Sequence, residues 1–163
     1  MDNVDSQTRS RMMSGIKGRN TKPELILRSG LQRLGFRHRL GETYFRQGRL
    51  LPGRPDLVFP KYRAVIQVNG CFWHRHDCHL FKWPETRAGF WRKKLSDNAA
   101  RDARNQIDLE SDGWRVLTVW ECALKGRSRR GLSEVINTAA NWLQFDSLSS
   151  EISGVDESRD KLS

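Results

Sequence analysis

Residues 51–80 read LPGRPDLVFPKYRAVIQVNGCFWHRHDCHL. Asp56 opens a short apolar run, Leu57-Val58-Phe59, which Pro60-Lys61-Tyr62 breaks. A second run, Ala64 to Val68, stops at Asn69-Gly70. Two β-rich runs divided by a turn predict adjacent strands. Directly after them, residues 71–79 hold three of the four histidines and two of the three cysteines. A sheet edge that delivers a cysteine–histidine loop is therefore the centre of the expected fold.

The elements on either side extend that sheet. Thr21-Lys22-Pro23-Glu24 is a helix start, with Thr21 as cap and Pro23 in the first turn. Leu27, Leu31 and Leu34 line its predicted inner face, and Gly35 ends it. Phe36 to Leu40 is a candidate strand, and Gly41 to Gly53 a polar loop in which Arg46, Arg49 and Arg54 are candidate phosphate contacts. Phe81 to Ala88 is irregular and aromatic. Trp91, Leu95, Ala99, Ala103 and Ile107 recur every four residues and predict a long helix closed at Asp112-Gly113. Trp114 to Trp120 reads as another strand, and Leu132 to Leu143 as a last helix capped by Ser133. The order predicts a layered α/β domain with a central mixed sheet and helices on both faces. Residues 1–20 form a basic arm, 21–145 the domain, and 146–163 an acidic tail expected to be disordered.

Charge narrows the function. The chain of 163 residues carries a formal net charge of +10. Residues 1–63 hold 14 Lys and Arg against 5 Asp and Glu, whereas residues 146–163 hold 2 against 5. A basic body with an acidic tail points to a polyanionic partner. No apolar run approaches the ~20 residues that span a bilayer, and the N-terminus lacks the apolar core of a secretory signal. Three cysteines among histidines read as reduced, intracellular and metal-bound.

Cys71, His76 and Cys78, with Cys122 brought in by the strand that ends at Trp120, are the candidate ligands of a structural zinc ion. His79 could replace His76, and Asp77 is close in sequence. His74 is left over, and a spare histidine near a carboxylate is a candidate general base. Asp56, at a strand edge, can hold Mg²⁺ with a main-chain carbonyl oxygen from near Val68. The spacing of Asp56 to Gln67-Val68-Asn69 follows the nuclease pattern PD…(D/E)xK, but Gln67 stands at the acidic position and Asn69 at the lysine position.

At this point the chain resembles a known family. TRSRMMSGIKGRNTKPE (8–24), LPGRPDLVF (51–59), GCFWHRHDC (70–78), Phe90-Trp91 and WRVLTVWECAL (114–124) are similar to the very-short-patch mismatch repair endonucleases, the Vsr family. The resemblance implies a restriction-endonuclease-like fold with a structural zinc site and an N-terminal arm that clasps DNA. It also implies a Mg²⁺-dependent nick, 5′ of the thymine, in T:G mismatches that arise by deamination of 5-methylcytosine. It assigns Asp56 and the Val68 carbonyl to magnesium, His74, Asp102, Glu24 and Asn69 to the catalytic site, and Cys71, His76, Cys78 and Cys122 to zinc. Phe72, Trp73 and Trp91 match aromatic residues that wedge into DNA, and Met13 an intercalating residue of the arm. The family's best-known member has histidine at the position of Asn69 and threonine at that of Val68. The expected partner is a mismatched duplex bound by a monomer in the bacterial cytoplasm, with mismatch-repair proteins as candidate helpers. A nickase of relaxed specificity and a catalytically inactive mismatch-binding module are the alternatives.

Overall fold

The structure, a computed structural model, describes residues 22–155. Helix α1 (Lys22–Arg33) leads to strand β1 (Arg39–Leu40) and a hairpin of β2 (Phe45–Arg46) and β3 (Arg49–Leu50). Strands β4 (Leu57–Phe59) and β5 (Ala64–Asn69) follow, then the long helix α2 (Ala88–Ser111) and β6 (Arg115–Trp120). The short helix α3 (Glu121–Leu124), helix α4 (Leu132–Phe145) and strand β7 (Ser150–Ile152) complete the chain. The main sheet has the order β1-β4-β5-β6-β7. β4 is antiparallel to β1 and β5, whereas β5, β6 and β7 are mutually parallel. This is the mixed, helix-flanked sheet expected from the sequence.

Alternation along the strands divides the core in two. On one face Leu57, Phe59, Ala64, Ile66, Leu117 and Val119 pack with Leu27 and Leu31 of α1 and Val135, Ala139, Trp142 and Leu143 of α4. Gly30 permits this contact, because a Cβ there would lie 2.3 Å from Ile136. On the other face Val58, Val65 and Val116 pack with Leu109 of α2, Leu51 and Trp114. Arg115, the first residue of β6, donates to the carbonyls of Trp142, Leu143 and Asp146, and so satisfies groups that α4 leaves open at its C-terminus.

Four local expectations are corrected. Leu34 lies beyond α1 and is half exposed, because the helix ends at Arg33 before its third apolar turn closes. Gly131, not Ser133, precedes α4, and no side chain caps that helix. The loop 41–53 contains the β2–β3 hairpin, whose turn has Gln47 and Gly48 both at positive φ. The fourth concerns the tail. Its polar composition predicted disorder from residue 146, yet β7 extends the sheet as its edge strand and buries Ile152. The contacts are mostly main-chain, so composition does not report them. Val116 N–H donates to the Ser149 hydroxyl at 2.9 Å, Val155 N–H to the Ser128 carbonyl at 2.7 Å, and Gly154 N–H to Cys122 Sγ at 3.2 Å.

Gly154 gives a direct test of that packing. Gly154→Ala would place a methyl carbon 2.6 Å from the Cys122 carbonyl oxygen and 2.8 Å from that of Ser128. The expected destabilisation is ~1–3 kcal/mol, read as about 2–4 °C of thermal midpoint per kcal/mol. Gly89→Ala, in α2 where an added Cβ meets nothing within 4 Å, should instead raise the midpoint. Equal midpoints in the two variants would show that the C-terminal segment does not pack against the Cys122 turn.

Candidate active site and metal centre

The parallel pairing of β5 and β6 builds the metal centre. Its register sets Asn69 opposite Trp120, so the two chains leave the sheet side by side. Two residues further along each chain stand Cys71 and Cys122, both buried. The turn after β5 then brings back His76 and Cys78. The four ligand atoms lie within 4.8 Å of one another. His76 Nδ1 is 3.5 Å from Cys71 Sγ and 3.6 Å from Cys122 Sγ. A tetrahedral zinc ion with bonds of about 2.3 Å to sulfur and 2.0 Å to nitrogen requires sulfur–nitrogen edges near 3.5 Å, so the donor set fits the ion. The His76 ring stacks on Trp120, with centroids 4.1 Å apart and planes 11° from parallel.

Burial pushes the Cys71 and Cys122 thiols up from their ordinary values, and it lowers His76. The imidazole is thereby kept neutral, the form in which it donates to a metal. The two thiols would release their protons to solvent on binding a cation. Cys122 N–H donates to Cys71 Sγ at 3.3 Å, and Gly154 N–H reaches Cys122 Sγ, so main-chain donors already face the sulfurs. His79, the alternative ligand, turns away from the cluster. Its Nδ1 lies 3.2 Å from the Ser128 hydroxyl.

Beside this centre lies a cleft of about 580 Å³ whose walls include Glu24, Arg54, Asp56, Asn69, His74 and Asp102. The Asp56 carboxylate accepts the Val68 N–H at 2.7 Å. In an antiparallel ladder a residue's N–H and C=O face the same partner strand, so the Val68 carbonyl lies on the edge that faces Asp56. Gly41 makes room for the loop before Asp56, since a Cβ there would lie 1.8 Å from the Pro55 carbonyl oxygen. Glu24 is 4% exposed and borders a smaller recess that it shares with Asp56. His74 Nδ1 is hydrogen-bonded to Asp102 on α2, and both side chains remain partly exposed. Only one of the imidazole's two nitrogens is thereby engaged, in the geometry that orients a general base.

The remaining predicted residues fall in three groups. Phe72, Trp73 and Trp91 form one aromatic cluster, with centroid separations of 5.2, 5.5 and 5.9 Å. Within it Trp73 is 8% exposed, so Phe72 and Trp91 supply the accessible surface. Arg54 borders the cleft. Arg46 and Arg49 do not, because they face each other in the β2–β3 hairpin. Arg46 lies 5.6 Å from the ring of Trp114, at the start of β6, whereas the cleft borders Glu121 at its end. Met13 lies outside the described residues.

The sequence reading missed Asn98, Arg101, Asn105 and Glu121, all of which border the cleft. The signal was present in α2. Its inner face runs Trp91, Leu95, Asn98, Asp102, Asn105, Leu109, at alternating spacings of four and three. The strict four-residue reading drifts by about 40° per step from a helix of 3.6 residues per turn. It therefore ends on Ile107, which is 63% exposed. Polar residues interrupting an apolar stripe at the correct spacing would have marked the cleft wall.

Comparison with known proteins identifies this arrangement. The family described as "DNA mismatch endonuclease Vsr" matches residues 1–80. The DNA mismatch endonuclease Vsr of Escherichia coli K12 is 43% identical over 148 residues, which cover 91% of each chain. This chain belongs to the Vsr family. The type II nicking enzyme V.XorIIP of Xanthomonas oryzae pv. oryzae is 41% identical, with 76% of this chain and 86% of that one covered. The nicking enzyme V.NmeAIP of Neisseria meningitidis serogroup A is 36% identical over 78% of this chain and 86% of its own. Membership makes the chain a DNA endonuclease, with the restriction-endonuclease-like fold of its family. No helix among the described residues is long and apolar enough to cross a membrane.

The ligand set is testable on the protein alone. The purified chain is expected to contain one equivalent of zinc, which Cys78→Ser and His76→Ala lose and His79→Ala retains, as read by metal analysis. Chelation should lower the thermal midpoint of the wild type. Retention by His76→Ala with loss in His79→Ala would reverse the ligand assignment.

Proposed function

We propose that this Vsr-family endonuclease requires Mg²⁺ and nicks one strand of duplex DNA, 5′ of the thymine in T:G mismatches left by 5-methylcytosine deamination. The observation that carries the reading is the His74–Asp102 pair, which shares a cleft with Asp56 and Glu24 and is fixed at its base by the cysteine–histidine centre. Two relatives are named as nicking enzymes, and another as a mismatch endonuclease; both names fit a cut in one strand.

In this reading His74 takes a proton from the attacking water, and Asp102 holds the imidazole in the required tautomer and stabilises its charged form. Asp56 and the Val68 carbonyl offer hard oxygen donors, the ligand type that suits Mg²⁺. A divalent cation held there would offset the negative charge that develops at phosphorus. Glu24 and Asn69 orient water and phosphate oxygens along the cleft. Asn69 has no group that titrates near neutral pH, so proton transfer falls to His74. The products are a 5′-phosphate and a 3′-hydroxyl. Phe72 and Trp91, with Trp73 beneath them, insert beside the mismatch, where unstacking costs less than in paired DNA. Met13 is assigned to the same intercalation, and Arg54 to a phosphate in the cleft. Arg46 and Arg49, in the β2–β3 hairpin outside the cleft lining, would serve phosphates further along the duplex. The substrate is bound by a monomer in the cytoplasm, with mismatch-repair proteins as helpers.

End-labelled duplexes with T:G in a CC(A/T)GG-derived context, and fully paired controls, test this under single-turnover conditions. The wild type should cut 5′ of the mismatched thymine only when Mg²⁺ is present. Asp56→Ala and His74→Ala should each slow the cut at least ~10²-fold, and Asp102→Asn should slow it without weakening DNA binding. Equal cutting across a panel of mismatches would replace the T:G assignment with relaxed specificity. Tight binding without a nick in any divalent metal would leave a mismatch-binding module.

A further inference from the structure

Outside glycine, five described residues have positive φ, namely Gln47, Arg54, Arg63, Arg75 and Arg87. Four are arginines. Such residues carry backbone strain, which the surrounding structure must hold in place. For Arg63 the reason is internal, since its guanidinium donates to the Asp112 carbonyl at 2.8 Å and lies 4.7 Å from the ring of Trp114. Arg75 makes contacts of the same two kinds, but at the surface. It stands between His74 and His76 and is exposed, with φ 53°. Its guanidinium lies 5.5 Å from the ring centre of Trp83 and donates to the Ser96 hydroxyl at 3.3 Å.

Arg92, in the second turn of α2, comes to 5.1 Å from the same ring. Two guanidinium groups are thus fixed on one indole. Two ring steps of 5.1 and 6.3 Å, through Phe81, join that indole to Phe72. The local charge is mainly basic, with Glu85, two residues after Trp83, as the carboxylate in that segment. Arg87 precedes α2, Arg92, Lys93 and Lys94 follow, and the first turn has no acidic residue. Cations near the positive end of a helix dipole are unfavourable, an effect that fades beyond the first turn. Lys93 is relieved by Asp97 at 3.4 Å, but among the described residues neither Arg75 nor Arg92 has a carboxylate partner. Strain, like-charge crowding and adverse dipole placement all disfavour this arrangement in the free protein, and an external anion would relieve the last two.

We propose that Arg75 and Arg92, held on Trp83, form a phosphate clamp for the DNA strand that flanks the step opened by Phe72 and Trp91. The clamp rests on the duplex-DNA reading above. Its position suits that task, because the two ring steps keep Trp83 within the ~12 Å width of a major groove from Phe72, which is where a groove wall of phosphates would run. The aromatic ring limits the motion of both side chains, so little freedom remains to be lost when a phosphate is bound. Arg75 also links the clamp to the catalytic loop, since its neighbours are the candidate base and a metal ligand.

The salt dependence of binding separates the possibilities. Fluorescence anisotropy of a labelled T:G duplex would be followed from 50 to 300 mM KCl for the wild type, Arg75→Gln/Arg92→Gln, Trp83→Ala and a control. The control, Arg33→Gln/Arg37→Gln, removes the same charge at exposed positions at and beyond the end of α1. Each phosphate that the protein no longer neutralises reduces the slope of log K against log [salt] by about 0.9. With one phosphate to each guanidinium, the Arg75/Arg92 variant should therefore lower the slope by about 1.8, and should weaken mismatched and paired duplexes alike. Trp83→Ala should weaken binding with no change in net charge, with its fold checked by zinc content and thermal midpoint. A slope equal to that of the control, or full affinity in Trp83→Ala, would overturn the clamp. Absence of any DNA binding by the wild type would instead overturn the reading on which it rests.

Discussion

The parallel pairing of β5 with β6 is the constraint on which the rest of the molecule depends. One register, Asn69 opposite Trp120, delivers two chain exits to the same sheet edge. One exit becomes the loop that carries Phe72, His74 and His76, and the other becomes the turn that carries Glu121 and Cys122. A shift of one residue would exchange the core and opposite faces of β6 and separate the two cysteines. The long crossover through α2 closes this pairing and also supplies the wall bearing Asp102. The connection that makes the sheet parallel is thus the one that places the partner of His74.

The metal centre and the cleft are mechanically continuous. Cys71 N–H donates to the Glu121 carboxylate at 3.3 Å, and Glu121 borders the cleft. His74 and His76 both lie against the Trp120 ring, the first edge-on at 6.3 Å and the second stacked. A staple at this point holds the imidazole of the loop at a fixed height above the sheet. Where the candidate general base sits on a loop rather than a strand, such bracing replaces the rigidity that regular structure would have provided. The C-terminal strand joins the same unit through Gly154 and Cys122.

Local patterning made the sheet, its helices and the cysteine–histidine cluster readable in advance. Short β-rich runs bounded by Pro and Gly announced β4 and β5, and clustered cysteine and histidine announced the centre. What stayed hidden depended on tertiary placement. Asp102 carries no signal by itself, because one aspartate on a charged helix resembles any other until α2 is laid against the loop of His74. The resemblance to a family, not the spacing, marked it. Glu121 was missed for the same reason, and Asn98 because the four-residue reading of α2 drifted off its inner face. Ser150–Ile152 was hidden because its partners are main-chain groups of β6, for which a polar segment has no distinguishing composition. The place of Arg46 beside Trp114 was hidden because loop length says nothing about which end of a sheet a hairpin covers.

The cleft is unusual in how little of its ionisable equipment comes from the central strand. Gln67 and Asn69 of β5 border it and are both neutral. The titratable groups arrive separately, Asp56 from the start of β4, Glu24 from α1, His74 from the loop after β5, Asp102 from α2 and Glu121 from α3. A pair of carboxylates on one hairpin would be aligned by ladder hydrogen bonds alone. Here alignment requires that five segments pack correctly at once. Each is anchored by a different device: a main-chain donor for Asp56, burial for Glu24, a side-chain partner for His74 and Asp102, and the backbone of Cys71 for Glu121. The geometry of the site is therefore a property of the whole fold. Each anchor involves its own residues, which gives substitutions that address the anchors one at a time.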